Sequence, residues 1–515
     1  MTASFKRSDL TIAIPTTGRD TKLLCRIVGL TLEEQAHVIV VWDGPTAPTN
    51  RLVSTLANQG VQFITHDRNR GPSAARNTAA SLISTPLGMY LDDDIVPAQG
   101  FVETVIAFHN QHPDILTMMI GSVTWRGGPY ASALTEWFET RGNWNVFHCV
   151  PGGKPHSSFM TGFTSFKTAA MSSIRLDEGF TRYGCEDTEF GYRFFSRGGQ
   201  LISWPELTGV HHKRLEPSDY IRDHINAGYS KGILITRHPD ATFSLPWLIK
   251  SINTTAQRDA LDSLCIAADQ LTHIGGGRAC IELDIAMRLI TEQAIQIGFV
   301  EYLCDNFPGA RALRDRAIAG EYIDEQTIVF GIEDFAPLLF ERARRCTNSS
   351  TRAALLARCQ ALIPHFTAPL LDAYETKRDD SALVALRKHL DTHHELLDSR
   401  TIKKLRIHLG LDTTPAPNRG TRDLYANLRS AEDEHDVESV IEFAQSILEI
   451  DPSHTGALIS WARATINTDK RFARILLAQA QHHAGFRPLH EQETRLPEIA
   501  AMQATIIRRE DHEVS

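Results

Sequence analysis

The chain has 515 residues, of which 42% are hydrophobic and 22% are charged, so it is long enough for two or three globular domains. Its formal charge of −9 comes without a dense stripe of Lys and Arg, which argues against a nucleic-acid partner. The polar N-terminus and the lack of a long apolar run predict a cytoplasmic protein without a signal peptide or a membrane span. Eight scattered cysteines without a CxxC pair predict reduced thiols.

Four short apolar runs in the first ninety residues predict β-strands at 10–14, 37–41, 61–64 and 87–91. The segments between them can hold helices, and this alternation predicts an α/β fold with a parallel sheet. Polar residues follow each run, and ligands of such sheets bind at the carboxyl ends of the strands. We therefore expect the residues after these strands to line one site.

Three adjacent carboxylates, Asp92, Asp93 and Asp94, directly follow the fourth predicted strand. Such a run repels itself unless something neutralises it, and a hard divalent cation bound to a diphosphate would do so. Alternation along an extended segment would place Asp92 and Asp94 on the same side. The alternative is a solvated acidic turn.

Two earlier segments carry residues suited to a nucleotide. Asp43 ends the second predicted strand, where a carboxylate can accept hydrogen bonds from a ribose or a base. Residues 69–77 combine glycine and small residues, which allow close backbone approach, with Arg76, which can balance phosphate charge. Taken singly, these segments are a turn and a loop that opens a helix.

The segment 182–195 predicts a helix entered from a tight loop, because Gly184 precedes two acids and the apolar pair Phe190 and Phe194. Carboxylates are stabilised at a helix N-terminus by the helix dipole. Two adjacent ones, Glu186 and Asp187, at the edge of a pocket also suit a general base that deprotonates a hydroxyl.

Two adjacent histidines, His211 and His212, follow a further short apolar run. An imidazole, a carboxylate and two phosphate oxygens together suit Mn²⁺ well and Mg²⁺ adequately. Either histidine could be the ligand. The alternative is a structural pair of histidines without a metal.

Beyond about residue 220 the pattern becomes helical, with Leu283, Met287, Ile290, Ala294 and Ile297 at helical spacing. The stretch 412–420 predicts a linker. Residues 440–452 resemble the second helix and closing proline of a tetratricopeptide repeat, although an amphipathic helix ended by proline explains them equally well. We predict three domains at 1–235, 236–411 and 421–505, of which the last two are helical.

Taken together, residues 8–235 resemble the family 2 group of GT-A glycosyltransferases, through the strand that ends in Pro15, the acidic run, the Glu186-Asp187 pair and the distal histidine. The resemblance implies a Rossmann-like domain that binds a nucleotide sugar and a Mn²⁺ or Mg²⁺ ion, and that inverts the anomeric carbon. It implies that Asp187 is the base and that Glu186 orients hydroxyl groups. The metal ligands that it implies are Asp94, Asp92 and His211 or His212. The donor-binding residues that it implies are Pro15, Thr17, Asp43, Asn69, Arg76, Asp92, Asp93, Thr161 and Gly162.

We expect the donor to be a nucleotide diphosphate sugar, in the first place a UDP-sugar. A soluble acceptor is expected, namely a glycan, a natural product or a peptide, and the helical region could bind a protein partner or a second copy of the chain. One alternative is a sugar-phosphate nucleotidyltransferase, but residues 15–19 are a poor version of its glycine-rich loop and the Glu186-Asp187 pair would have no role. Another alternative is a catalytically silent scaffold that binds a sugar nucleotide.

Overall fold

An eight-stranded mixed sheet forms the first part of the chain in the computed structural model, and helices follow it. The structure describes residues 4–504 except 141–158, 173, 241–247, 250, 275–280, 378–379, 394–396, 398, 410, 412–418, 435, 451–454, 468–472, 474–475, 478–479 and 481–496. The predicted Cys149 and Cys280 thiols lie outside the described residues.

The strands confirm the four sequence predictions, with ends displaced by two residues at most. The strands are β1 (Leu10–Thr16), β2 (His37–Trp42), β3 (Gln62–Thr65), β4 (Leu87–Leu91), β5 (Ile95–Pro97), β6 (Thr117–Thr124), β7 (Phe163–Lys167) and β8 (Gln200–His211). Their order across the sheet is β3-β2-β1-β4-β7-β6-β8-β5.

The helices of this part lie between the strands and after the last of them, and a short 3₁₀ turn at Arg7–Asp9 precedes the first strand. They are α1 (Thr21–Glu33), α2 (Asn50–Asn58), α3 (Pro72–Leu82), α4 (Phe101–Gln111), α5 (Ala133–Thr140), α6 (Thr168–Met171), α7 (Glu186–Ser196) and α8 (Pro217–Arg237).

After α8, every regular element in the described part of the chain is a helix, which confirms the α-helical second half. These helices are α9 (Thr255–Ile274), α10 (Ile281–Asn306), α11 (Pro308–Ile318), α12 (Glu325–Gly331), α13 (Ala336–Arg345), α14 (Ser349–Leu362), α15 (Ala368–Lys377), α16 (Asp380–His393), α17 (Ser399–His408), α18 (Arg419–Asp433), α19 (Val437–Ile450) and α20 (Thr455–Thr465). The five apolar residues that predicted a helix around residue 290 are all buried in α10.

The parallel pairing of β1 with β2 and β4, and of β2 with β3, brings four strand ends to one edge of the sheet. All five residues of β4 are buried, as expected of a strand covered on both faces. The residues that follow β1, β2 and β4 therefore lie at the same edge, which confirms the predicted α/β arrangement.

Two antiparallel pairings add residues from much later in the chain to this edge. β7 pairs with β4 so that Phe163 lies opposite Leu91, and the Gly162 carbonyl accepts a hydrogen bond from the Asp92 amide at 2.9 Å. β8 pairs with β5 so that His211 lies opposite Ile95. Strand register thus decides which distant residues reach the acidic run.

Helix α8 crosses the boundary that the sequence analysis placed at residue 235. It packs closely along α10: a Cβ on Gly228 would lie 2.2 Å from the Ile295 carbonyl oxygen, and one on Gly298 would lie 1.8 Å from that of Ile225. In α5, the Trp137 indole nitrogen donates to Asp284 of α10 at 2.8 Å. The packing is continuous across residue 235, so the division there does not separate two cores.

Helices α18 to α20 share a core that includes Leu428, Ile447 and Trp461. Residues 440–450 are helical as predicted, whereas the closing Asp451-Pro452 pair lies outside the described residues, so the tetratricopeptide repeat stays a prediction. Residues 419 and 420 of the predicted linker belong to α18, and 412–418 are not described. None of the helices that the structure describes is both long and apolar enough to span a bilayer.

Candidate active site

A cleft at the carboxyl end of β4 brings together half of the residues that the sequence singled out. It lies beside the first turn of α7 and the first turns of α8. The predicted site residues that line it are Arg76, Asp92, Asp94, Gly162, Glu186, Asp187 and His211. The other predicted residues, Pro15, Thr17, Asp43, Asn69, Asp93, Thr161 and His212, are outside this lining.

The acidic run forms a turn rather than the extended segment that the alternation argument assumed. The Ile95 amide donates to the Asp92 carbonyl at 3.1 Å, which closes the turn. Asp92 and Asp94 nevertheless both face the cleft. Asp93 instead accepts a hydrogen bond from the Thr16 hydroxyl, and burial raises its pKa to about 7. Asp93 thus contacts β1 in the structure, and its expected contact with the donor stays a prediction.

Arg76 in α3 is the buried cation of the cleft. Its side chain donates from Nη2 to Asp92 Oδ1 at 2.7 Å, and the residue is only 6% exposed. Its Nε and Nη1 groups have no hydrogen-bond partner among the described residues. Burial disfavours the charged guanidinium, but the three neighbouring carboxylates of Asp92, Asp187 and Glu186 hold the pKa of Arg76 above its usual range. Arg76 therefore balances the charge of the acids in the cleft.

The loop before α7 fixes where the Glu186-Asp187 pair points. Gly184 and Cys185 both have left-handed backbone conformations, with φ of +95° and +69°. This sharp turn places both acids in the first helical turn, where the helix dipole stabilises negative charge. The predicted helix and its tight entry loop are thus confirmed.

The two acids of this pair have different surroundings. Asp187 accepts two hydrogen bonds from Thr161, one from the amide at 3.2 Å and one from the hydroxyl at 2.9 Å. Glu186 is 7% exposed, and its Oε2 has no hydrogen-bond partner among the described residues. Burial raises the pKa of both, that of Glu186 to about 7, while Arg76 and the Thr161 hydrogen bonds oppose the rise at Asp187. Thr161 thus orients the Asp187 carboxylate through two hydrogen bonds, whereas Glu186 has one carboxyl oxygen without such a partner among the described residues.

Thr161, which the resemblance implies to be a donor-binding residue, contacts Asp187 in the structure. The residue is 1% exposed, and its hydroxyl and amide are both directed at Asp187. Gly162, the next residue, lies directly against the Asp92 carboxylate. Thr161 thus positions the carboxylate of the pair, and Gly162 leaves room for Asp92.

Adding a methyl group at Gly162 should disturb the cleft without straining the backbone. A Cβ there would lie 2.3 Å from Asp92 Oδ2, and φ of Gly162 is not left-handed. Because Asp92 must move away from Arg76, we expect Gly162→Ala to lower kcat/KM for donor turnover by about tenfold, since small displacements of positioned groups are costly. Gly29→Ala is the control, because nothing lies within 4 Å of that Cβ. Equal kcat/KM values for the two variants would contradict the prediction.

Asp94 and His211 form the second pair of the cleft. His211 Nε2 lies 3.2 Å from Asp94 Oδ1, and the imidazole ring packs 4.3 Å from the ring of Trp125. Burial acts to raise the pKa of Asp94, but His211 and nearby cations hold this pKa below its usual range. The His212 backbone amide donates to the Asp94 carbonyl at 2.6 Å, but its side chain is outside the cleft lining. Of the two histidines, His211 is the one placed beside the acidic run.

A carboxylate oxygen and an imidazole nitrogen at this distance fit a divalent cation that takes its other ligands from a diphosphate. Within the described part of the chain, no group of three or more His, Cys, Asp or Glu side chains is arranged to hold a metal by itself. The described residues thus offer this place two neighbouring donor atoms, Asp94 Oδ1 and His211 Nε2.

Asp43 was expected to contact the nucleoside, but it is 3% exposed and its carboxylate holds the following loop together. It accepts hydrogen bonds from the Arg70 amide, the Gly71 amide and His66 Nδ1 at 2.7–2.8 Å. The exposed Asn69 donates its side-chain amide to the Asp43 carbonyl at 2.6 Å. These contacts shape the turn into α3 and give Asp43 a positioning role.

Pro15 and Thr17, at the end of β1, are half-buried. Thr17 lies against the loop after β2, since a Cβ on Gly44 would be 2.6 Å from its carbonyl oxygen. Both residues sit at the edge of the sheet where the donor was expected, but outside the cleft lining.

Sequence reasoning missed several residues of the cleft wall. They are Trp125, Phe138, Tyr183, Lys213, Tyr220, Asp223 and His224. Lys213 and Asp223 form an ion pair of 3.3 Å across the wall. Lys213 belongs to the short basic run that follows the two histidines, and this run could have indicated that Lys213 is near the site. Tyr220, Asp223 and His224 come from the first turns of α8, where no local motif marks them.

Parts of this chain are similar to known proteins. Residues 11–167 match the model of glycosyl transferase family 2. The pre-mycofactocin glycosyltransferase of Mycobacterium tuberculosis (strain CDC 1551 / Oshkosh) is 26% identical over 313 residues, which cover 56% of this chain and 63% of that protein. The validoxylamine A glucosyltransferase of Streptomyces hygroscopicus subsp. limoneus is 24% identical over 280 residues, covering 47% of this chain and 59% of that protein. The chain thus spans less than two thirds of the length of either relative.

Among solved structures, a mannosyltransferase from Pyrobaculum calidifontis in complex with GDP-Man and Mn²⁺ matches 70% of this chain and 88% of its own chain. The TM-score of this match is 0.34 and the sequence identity is 14%. At these values the likeness supports no statement about activity or ligands.

Proposed function

We propose that this protein transfers a sugar from a nucleotide diphosphate sugar to a hydroxyl group of an acceptor, with inversion at the anomeric carbon. The match of residues 11–167 to the model of glycosyl transferase family 2 supports this proposal. The observation that carries the proposal is the arrangement of Asp187. Its carboxylate lies in the cleft, held by two hydrogen bonds from Thr161, within the same charge cluster as Arg76 and Asp92.

Asp187 acts as the general base. Its carboxylate takes the proton of the acceptor hydroxyl while that oxygen attacks the anomeric carbon and the bond from this carbon to the diphosphate breaks. Attack from the face opposite the leaving group inverts the configuration. Burial raises the pKa of Glu186 to about 7, and in its protonated form Glu186 can donate a hydrogen bond to a hydroxyl of the sugar or acceptor.

Asp94 and His211 would hold a Mn²⁺ or Mg²⁺ ion, with Asp92 on the same side of the cleft. A bound cation there supplies positive charge that stabilises the diphosphate leaving group. Arg76 alone cannot neutralise the charge of the diphosphate, because its guanidinium already balances the charge of three carboxylates. The proposed roles therefore divide the cleft: Asp94 and His211 face the diphosphate, and Asp187 and Glu186 face the acceptor.

Metal-dependent nucleotide binding tests this division. We expect UDP, GDP or dTDP with Mn²⁺ to raise the thermal midpoint of the protein, because a ligand that binds the native state stabilises it. His211→Ala should abolish the metal-dependent part of the shift, since it removes one of the two protein ligands. His212→Ala is the matched control and should keep the shift, because its side chain is outside the cleft lining.

Two results would count against the assignment. Loss of the shift in His212→Ala but not in His211→Ala would move the metal to the other histidine. If no nucleotide raised the midpoint of the wild-type protein, with or without metal, the silent scaffold would replace the transferase as the better proposal. A nucleotidyltransferase remains the weaker enzyme alternative, because it would leave Asp187 and Thr161 without a role.

For the donor and the acceptor, the relatives suggest where to begin. They are named for the compounds pre-mycofactocin and validoxylamine A rather than for a polymer, so we propose a discrete acceptor molecule that carries a hydroxyl group. One of them is named as a glucosyltransferase, which makes UDP-glucose the first donor to assay. Turnover is measured as release of UDP in the presence of Mn²⁺.

A further inference from the structure

The loop that leads into α7 rests on helices α8 and α10, which lie beyond the residues that match the family model. We propose that Arg182 is a positioning residue through which α8 and α10 fix this loop, residues 182–185, and with it the carboxylate of Asp187. The inference rests on the proposed function for its catalytic consequence, but the clamp itself is a structural statement that can be tested separately.

The Arg182 side chain makes two oriented contacts with these helices. Its Nη1 lies 2.8 Å from Glu301 Oε2 of α10, and its guanidinium carbon lies 3.6 Å from the centre of the Tyr229 ring of α8. A planar guanidinium that is both paired with a carboxylate and stacked on an aromatic ring has little freedom to rotate. Arg258 also binds Glu301, so the carboxylate is itself held in place.

The backbone of the loop is held from the same side. The hydroxyl of Ser230, a fully buried residue of α8, lies 3.3 Å from the carbonyl oxygens of both Arg182 and Tyr183. A Cβ on Gly184 would lie 3.0 Å from the Cβ of Ala227, so the loop is in direct contact with α8. The loop is thus bound through a side chain and through its main chain.

Such support is needed because the loop adopts an unfavourable backbone. Two consecutive residues, Gly184 and Cys185, have left-handed φ angles, and for Cys185 this conformation is uncommon. Sparsely populated conformations persist where the surrounding structure determines them. Asp187 follows two residues later, so relaxation of this turn would carry the carboxylate away from Thr161.

A second contact keeps α7 in place when the first is removed. His238, just after α8, lies 3.1 Å from Glu189 Oε1, and Arg193 also pairs with Glu189. Glu189 is one turn beyond the Glu186-Asp187 pair. Loss of the Arg182 contacts is therefore expected to loosen the loop without unfolding the helix.

The test uses the full chain with Arg182→Gln, Glu301→Gln and the control Arg316→Gln. Arg316 pairs with Glu321 in α11 and the turn after it, and both side chains are about half exposed. Hydrogen–deuterium exchange is followed in peptides that cover residues 182–190, together with the thermal midpoint. We expect faster exchange of these peptides in the two clamp variants and wild-type exchange in the control, with the midpoint of all three close to that of the wild type. Unchanged exchange in Arg182→Gln would overturn the clamp.

The catalytic consequence is measured as kcat and KM for hydrolysis of UDP-glucose, or of GDP-mannose if the wild type prefers it, with Mn²⁺. Water takes the place of the acceptor hydroxyl in this assay, gives up its proton to Asp187 and forms the free sugar as the nucleotide leaves. A displaced base should lower kcat by about ten- to a hundredfold and leave the donor KM unchanged. Wild-type kcat in a variant whose loop exchanges faster would overturn the positioning role. A wild-type protein that releases neither nucleotide would count against the proposed function, and the exchange measurement would still decide the clamp.

Discussion

Replacing Asp187 with asparagine should lower turnover by about 10²- to 10⁴-fold, the usual contribution of a general base. Asparagine keeps the shape of the side chain: its carbonyl can accept the hydrogen bond from the Thr161 amide, and its NH₂ group can donate to the Thr161 hydroxyl. It cannot take the acceptor's proton. Metal-dependent nucleotide binding should persist, because the Asp94–His211 pair is untouched. The measurements are kcat for nucleotide release and the thermal shift with UDP and Mn²⁺.

Glu186→Gln is the matched control for Asp187→Asn. Burial raises the pKa of Glu186 to about 7, so the protonated and ionised forms are both populated near neutral pH, and glutamine resembles the protonated form. We expect a loss of less than about tenfold, in the range of a lost hydrogen bond. The reverse result, a severe defect in Glu186→Gln and a mild one in Asp187→Asn, would make Glu186 the base.

The same roles fix the direction of the pH dependence. A base must be ionised to act, so activity should fall as the pH drops through the pKa of Asp187. Because burial raises this pKa, the fall should begin at a higher pH than it would for an ordinary aspartate. The acid limb of the kcat/KM profile should disappear in Asp187→Asn, and its persistence there would assign the limb to another group.

Replacing Arg76 with methionine should destabilise the protein by about 1–3 kcal/mol, the cost of leaving a hydrogen-bonding group without its partner, because Arg76 is buried although the Asp92 side chain is 35% exposed. The variant would leave Asp92 without its 2.7 Å partner and would place the uncompensated charges of Asp187 and Glu186 in a poorly hydrated cleft. The free energy of unfolding in urea at pH 7 measures the loss. The loss should shrink at lower pH, because protonation of these carboxylates removes the charge that Arg76 balances.

Arg70→Met is the control for this prediction. Arg70 also pairs with a carboxylate, that of Glu178, at 2.9 Å, but the two side chains are 43% and 42% exposed. Exposed pairs contribute about 0–1 kcal/mol, so a small loss is expected. Comparable losses in the two variants would mean that Arg76 does not act as the counterion of the cleft.

The sequence by itself determined the elements whose pattern is local. Runs of apolar residues bounded by turn residues predicted β1 to β4, and helical spacing predicted α10 with its five buried apolar side chains. The glycine before two acids predicted the start of α7. These features follow from periodicity and backbone preference over a few residues, which any chain with this sequence shares.

Only the tertiary structure decided which of the singled-out residues meet. The register of β5 against β8 places His211, rather than His212, beside Asp94. Asp43 and Thr161 form hydrogen bonds with distant parts of the chain, namely the Arg70 amide and the Asp187 carboxylate. Their partners lie about 26–27 residues away along the chain, beyond the reach of any local pattern.

The tertiary structure also determines the turn at Asp92–Asp94 and the close packing of α8 against α10. An extended backbone was predicted for Asp92 to Asp94. Instead, the hydrogen bond from the Ile95 amide to the Asp92 carbonyl closes a turn, and the Asp93 carboxylate contacts Thr16. A domain boundary was predicted at residue 235, but α8 and α10 pack closely against each other at Gly228 and Gly298. Sequence spacing fixes what each segment can form, whereas the contacts between segments depend on packing, which is determined only when the whole chain is folded.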